Sequence, residues 1–331
     1  MNRSPDISNT INDKPRFGLW YFFKSYWANT PRARNILLVV LMAATGALQI
    51  FSLVAINDWQ NIFFDALQAY ETSKVAMLVL AFVVISLIIS GGFALNNYFA
   101  GLFSLKWRIH LTKQIKQQWL SHSHYDRLQQ QANIDNPEQR ISDDLNLLPQ
   151  LTIIIANQVF QSVITLGAFS FQLWTLSKQW DIKLNGQMVH FPGIYLWATL
   201  FYSLFFNLVI FKFGHNLINL NYFNQKLTAN FRYIMSLIRE HSRKIVLQQF
   251  APYHEEKTTA DFSSIVKNSL AILRLDRLIA FVRQYCMNSA GMTIQLVALP
   301  AYFNNHLQIG YLMQTGGAAF YFINALAVLI L

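Results

Sequence analysis

Few residues in this chain have the types and spacing that chemistry requires. His122 and His124 lie two apart in "HSH", so on a helix they point in different directions, and no third ligand accompanies them; no metal site is expected. Gly316-Gly317 lacks a following lysine, and no G-x-x-x-x-G-K-[ST] run occurs to cradle the phosphates of ATP. Neither a nucleophile elbow nor a zincin motif is present, so no catalytic residue is assigned. Two groups of acids remain. Asn57, Asp58 and Asp65, with Glu71 beyond them, stand at one end of an apolar run, where a carboxylate either relays protons or is a solvated loop charge. The other group belongs to the wholly polar stretch "NPEQRISDD", Asn136 to Asp144.

That stretch specifies a helix start. Asn136 suits the N-cap, Pro137 the first helical position, and Gln139 the site from which a side chain reaches back in a capping box. Glu138, Arg140, Asp143 and Asp144 follow on the same short helix. Two readings stay open on these residues: a docking helix that meets a partner, or a well-capped solvated loop.

The elements that position these residues come from composition. The chain is 53% apolar and 13% charged over 331 residues, the balance of a multispanning membrane protein. Uncharged stretches of about 20 residues, the length that crosses a bilayer, are Ile36 to Ile56, within Val75 to Leu105, within Leu145 to Ser177, and Phe191 to Phe211. From Gln284 to Leu331 there is no charged side chain, and Asn304-Asn305-His306 divides that run into a fifth and a sixth span. The expected fold is therefore all-α, with six transmembrane helices.

All but three of the 26 Lys and Arg residues fall in 1–35, 106–144 and 212–283, the exceptions being Lys74, Lys178 and Lys183. Basic residues are retained on the cytoplasmic side, so both termini are expected there, and the net charge of +10 reflects topology rather than a nucleic-acid partner. Residues 106–144 and 212–283 are too long for turns and read as cytoplasmic stalks. In the second, apolar residues at helical spacing on either side of Phe250-Ala251-Pro252-Tyr253 give an antiparallel helix pair. Ahead of the first span, "RFGLWYFFKSYWAN" has the make-up of an elbow helix lying at headgroup depth, or of an ordinary aromatic flank. Residues 1–35 thus form the N-terminal segment and 36–331 the membrane domain. No cleaved signal peptide is expected, and the lone Cys286, in an apolar run, excludes a disulfide framework.

Polar residues within the spans are candidates for lining a solute path: Asn96 and Asn97 in the second, Asn157, Gln158 and Gln161 in the third, Asn207 in the fourth. Interhelical hydrogen bonding is the competing role for each. None of the six spans contains Asp or Glu.

"NPEQRISDD" resembles the "NPDQR…ED" signature in the membrane domains of one branch of ABC transporters, which comprises YddA-like bacterial permeases, SbmA/BacA-like peptide importers and the peroxisomal fatty-acyl group. "NDWQNIFFDALQ" from Asn57 to Gln68 resembles that branch's "NDW…FYDALQ", and "LMQ" from Leu312 to Gln314 its "LG.LMQ". The resemblance covers about residues 17 to 331. It implies an exporter-like type 1 transmembrane domain that dimerises with a second copy in the lipid bilayer of a bacterial inner membrane. It also implies that coupling helices at Asn136 to Asp144 sit on nucleotide-binding domains. ATP and Mg would be bound there, and this chain itself would hold no cofactor. An "E…IALY.GE" element corresponds to Arg239-Glu240 followed by Ile245, Val246 and Leu247, but Phe250 and Ala251 stand where the glycine and acid belong.

YddA-like members carry an ATPase domain after the sixth span, whereas this chain stops at Leu331 while still apolar. The expectation is an ATP-binding domain supplied in trans or lost by truncation. Three functions follow in order: an ATP-driven permease for a peptide or lipid-like solute, a proton-driven SbmA/BacA-like importer, and a truncated remnant that transports nothing.

Overall fold

The structure, a computed structural model, describes residues 19–121, 140–184, 187–305 and 307–330. The helices are α1 (Leu19–Asn29), α2 (Arg32–Gln68), α3 (Thr72–Leu120), α4 (Leu145–Leu176), α5 (Ile194–Glu240), α6 (Ser242–Leu247), α7 (Ala251–Asn305) and α8 (Ile309–Ile330). A π-helical turn, Arg140–Asp144, leads into α4. The all-α expectation holds for these elements, with one addition between α4 and α5: strands β1 (Asp181–Leu184) and β2 (Gln187–His190) pair antiparallel, Asp181 opposite His190. Residues 185 and 186 between them are Asn-Gly, the dipeptide that two-residue hairpins favour. The hairpin closes with a 2.9 Å contact between His190 Nδ1 and Asp181 Oδ1.

Among the described residues five helical stretches are long and apolar enough to cross a membrane: Arg32–Gln68, Thr72–Leu120, Ile141–Gln179, Ile194–Glu240 and Ile309–Leu329. The expected fifth span lies in α7 and is helical, but Gln284, Asn288, Ser289, Thr293 and Gln295 dilute its apolar character. Only 6% of the most apolar window of α3 is buried within the protein. Met77, Leu80, Val83, Val84 and Leu87 are bare along it, a larger continuous apolar surface than water-facing helices carry.

The described residues fall into two compact units, one within Met1–Ile56 and Val79–Ile164, the other within Asn57–Leu78 and Thr165–Leu331. In the first, the inner face of α1 packs on α3. Tyr26, 1% exposed, lies among Phe103, Trp107 and Leu111. The corner between α1 and α2 is tied by side chains: the Tyr26 hydroxyl donates to Asn35 Oδ1 (2.9 Å), Asn35 Nδ2 to Thr30 Oγ1 (2.6 Å), and Thr30 Oγ1 to the Tyr26 carbonyl (2.5 Å). Pro31 removes a backbone donor at this corner, which explains why the chain breaks there rather than continuing as one helix.

In the second unit α5 and α7 run antiparallel along each other. The Tyr202 hydroxyl donates to the Cys286 carbonyl (2.9 Å), Asn268 Nδ2 donates to the Leu220 carbonyl (3.0 Å), and the Phe231 and Phe262 rings lie 5.7 Å apart. Small residues let α7 and α8 approach closely: Ala290, Ala298, Ala301, Ala318 and Ala319 are all fully buried, the packing that membrane bundles use where no hydrophobic drive acts. Between α5 and α7 the chain reverses through α6 and Gln249, whose φ is 54°. Gly193 opens α5 at φ 72°, and a side chain there would run into the Trp174 ring.

Candidate functional site

Two polar clusters lie inside the apolar helices. The first sits where α2 ends. Residues 57, 61, 65 and 68 recur at i, i+4, i+8 and i+11, so one face of the helix carries Asn57, Asn61, Asp65 and Gln68. That face meets the start of α8. Asn57 Nδ2 donates to the Gln314 carbonyl (3.1 Å) and Asn61 Nδ2 to Gln314 Oε1 (2.6 Å). Gln314 Nε2 in turn donates to Asp58 Oδ1 (2.6 Å), which also accepts from Gln172 Nε2 of α4 (2.6 Å). Asp65 Oδ1 accepts from the Gly310 N–H (2.8 Å) and Gln68 Oε1 from the Ile309 N–H (2.9 Å). These two acceptors satisfy backbone donors that the first turn of α8 leaves unpaired, and the Asp65 carboxylate complements the positive end of that helix. Asn57, Gln172 and Gln314 are all more than nine-tenths buried.

The second cluster centres on Asn96, 1% exposed, in the first unit. Its Oδ1 accepts from Asn157 Nδ2 (2.7 Å) and Gln161 Nε2 (2.9 Å), while its Nδ2 donates to the Met42 carbonyl (2.8 Å). Three helices are tied through one carboxamide. Beside it lies an apolar cavity of about 310 Å³ lined by Phe23, Trp27, Met42, Ile153 and Phe160, with Asn157 its polar member.

Alanine at Asn96 removes the acceptor shared by Asn157 and Gln161. We expect it to lower stability in detergent by about 1–3 kcal/mol, the cost of unpaired buried donors. Removing Asn157 as well should then cost little more, because the bond it made is already gone. Equal, additive losses in a denaturant titration would show the three amides to be independent.

The other residues singled out from sequence are dispersed. Asn97 and Gln158 are exposed within this chain, one position along the helix from Asn96 and Asn157 and so on another face. Asn207 is buried but donates to the Ser203 carbonyl of its own helix (2.9 Å). Arg239 and Glu240 are exposed at the C-terminal end of α5. Asp143 and Asp144 are exposed in the π-helical turn that Arg140 opens, whereas Asn136, Pro137, Glu138 and Gln139, like His122 and His124, lie outside the described residues. Gln172, Asn61, Gln68 and Gln314 were not singled out as site residues. The i, i+4 amide ladder from Asn57 held the signal for two of them.

Long apolar helices with bare outer faces and amides paired inside define a multispanning helical membrane protein. Residues 25–302 match the model of the ABC transporter transmembrane region 2 family, and the chain belongs to that family. An ABC transporter ATP-binding protein of Haemophilus influenzae is 24% identical over 298 residues, 89% of this chain and 50% of that protein. The inner membrane ABC transporter ATP-binding protein YddA of Escherichia coli is 24% identical across 88% of this chain and 53% of its own length. The chloroplastic ABC transporter D family member 2 of Arabidopsis thaliana is 26% identical across 68% and 30%. The chain thus spans about half the length of the two bacterial relatives. It is the membrane component of an ABC-type transporter.

Proposed function

We propose that this chain forms, with a second copy of itself, a six-span type 1 permease in a bacterial inner membrane, both termini on the cytoplasmic side. It moves a peptide or other amphipathic solute, powered by ATP hydrolysis in a nucleotide-binding domain outside these 331 residues. One observation carries the reading. Helices α5 and α7 have 47 and 55 residues, which at 1.5 Å per residue is about 70 and 80 Å, more than twice the thickness of the hydrocarbon core. Each crosses the bilayer and runs on as a stalk. Residues 212–283, the protruding part, carry 11 of the 26 Lys and Arg residues, which favours the cytoplasmic side.

In this reading the exposed turn at Arg140–Asp144 and the α5–α7 reversal near Glu240 meet the ATP-binding domains. Their closure on ATP rocks the stalks and exchanges inward-open for outward-open states. The cavity beside Asn157 suits an amphipathic solute, since apolar walls with few polar groups bind and orient such molecules. The test is uptake of labelled peptide into vesicles reconstituted with the chain, of both orientations, with and without a proton gradient, ATP and membrane extract. Uptake that needs ATP and extract is expected. Uptake driven by the gradient without nucleotide would replace this reading with proton coupling.

A further inference from the structure

Below the uncharged part of α3, which ends at Leu105, the helix carries Lys106, Arg108, Lys113 and Lys116 and no acid as far as Leu120. Three of these cations open onto one groove of about 780 Å³, formed by α3 and the turn that begins α4. Its walls change character along the helix. Leu105, Ile109 and Ile141 line it with apolar side chains, while Arg108, Lys113 and Lys116 bring charge, and Thr112 and Ser142 add hydroxyl donors. Residues 105, 109, 112 and 116 share one helical face, so this is a continuous stripe.

Among the described residues no ion pair neutralises Arg108, Lys113 or Lys116. Three unpaired cations close together repel one another and attract an anion. Direction along the helix matters as well. Side chains on a helix lean toward its N-terminus, and α3 runs out of the membrane toward Leu120, so Lys113 and Lys116 lean back toward the bilayer boundary at Leu105. Lys116 lies about 16 Å along the axis from Leu105, a distance that its leaning, extended stem shortens.

We propose that this groove binds the phosphodiester headgroup of an anionic membrane phospholipid. The phosphate sits among Arg108, Lys113 and Lys116, and the acyl chains pass over Leu105, Ile109 and Ile141 into the bilayer. A soluble anion would satisfy the charges but leave the apolar half of the groove empty, whereas a lipid satisfies both halves. The planar guanidinium of Arg108 suits a phosphate, with the two lysines as point charges beside it. The proposal rests on α3 crossing the membrane and not on what the protein transports.

The experiment is lipid titration of the purified 331-residue chain in uncharged detergent, read by native mass spectrometry and by thermal unfolding. Phosphatidylglycerol, cardiolipin and phosphatidylcholine are compared, with glycerol phosphate as a soluble competitor. We expect phosphatidylglycerol or cardiolipin to bind at least about 5-fold more tightly than phosphatidylcholine. The triple variant Arg108→Gln, Lys113→Gln, Lys116→Gln should abolish the preference. A control variant, Lys212→Gln, Lys226→Gln, Lys257→Gln, removes the same charge from α5 and α7 and should keep it. Equal binding of charged and zwitterionic lipid, or a preference that survives the first triple variant, would overturn the proposal. So would loss of the preference in the control, which would show net charge alone at work, or displacement of lipid by glycerol phosphate at equal concentration, which would make the site one for a soluble anion.

Discussion

Alanine at Gly310 is expected to be the most damaging single-methyl change in the described chain. Gly310 lies in the first turn of α8, and an added Cβ would fall inside contact distance of the Asn61 carbonyl oxygen, with Asp65 Oδ1 2.5 Å away. A backbone carbonyl inside α2 cannot rotate aside as a side-chain end can, so the two helices must separate. Overpacking of this kind costs about 1–3 kcal/mol, occasionally more. Separation also weakens the caps that Asp65 and Gln68 supply, each worth about 1 kcal/mol. A loss of about 3 kcal/mol or more is expected in a denaturant titration of the detergent-solubilised protein. The comparison is Gly214→Ala on α5, where nothing lies within 4 Å of an added Cβ. There the change should be neutral or mildly stabilising, since glycine within a helix is unfavourable by about 0.5–1 kcal/mol. Similar behaviour of the two variants would mean that α2 and α8 are not in close contact at this point.

The second large effect is expected at Asp58, and it separates two roles. Gln172 and Gln314 both donate to one oxygen of this carboxylate, at 2.6 Å each. Asp58→Ala leaves two buried amides without their acceptor, and hydrogen bonds to charged groups are worth about 1.5–3 kcal/mol apiece; a loss of about 3 kcal/mol is expected. Asp58→Asn keeps an oxygen at the same place but makes both bonds neutral, so it should cost about half as much as alanine and leave transport in vesicles nearly unchanged. A proton carrier would behave the other way: the asparagine variant would fold normally and lose gradient-driven uptake altogether. Measuring stability and uptake on both variants therefore decides whether Asp58 joins helices or carries protons.

The helices were legible from sequence because an uncharged run of bilayer length seldom occurs except where a chain crosses a membrane, and the reversal near Pro252 showed through its break in periodicity. Partners across the chain were not. The spacing of Asn57, Asn61, Asp65 and Gln68 reveals a polar face on α2, but periodicity reports which residues share a face and not what the face meets; Gln314 lies some 250 residues away. The intramembrane amides illustrate the same limit. Asn157 and Gln161, four apart, share a face and meet Asn96, whereas Asn97 and Gln158 sit about 100° around their helices and point elsewhere. Polarity within an apolar span marks the group, and angular position sorts its members. The β1–β2 hairpin has its own signal, Asn-Gly between two short strands, but at four residues each those strands are far shorter than the apolar runs that dominate the pattern around them.

The pairing of α5 with α7 has a mechanical consequence. Contacts between them run from Tyr202 with Cys286 to Phe231 with Phe262, about 40 Å of helix at 1.5 Å per residue. Two rods joined at several points along that length resist bending far better than either alone, so in the proposed permease they would pivot as a single lever. In the proposed permease, where about 40 Å of arm extends beyond the hydrocarbon core, a tilt of roughly 5° would carry the tip about 3.5 Å, a shift of the size that helices make at moving interfaces. The same gearing works in reverse: a push of a few ångströms at the tip becomes a small rotation within the membrane, delivered with a correspondingly greater force.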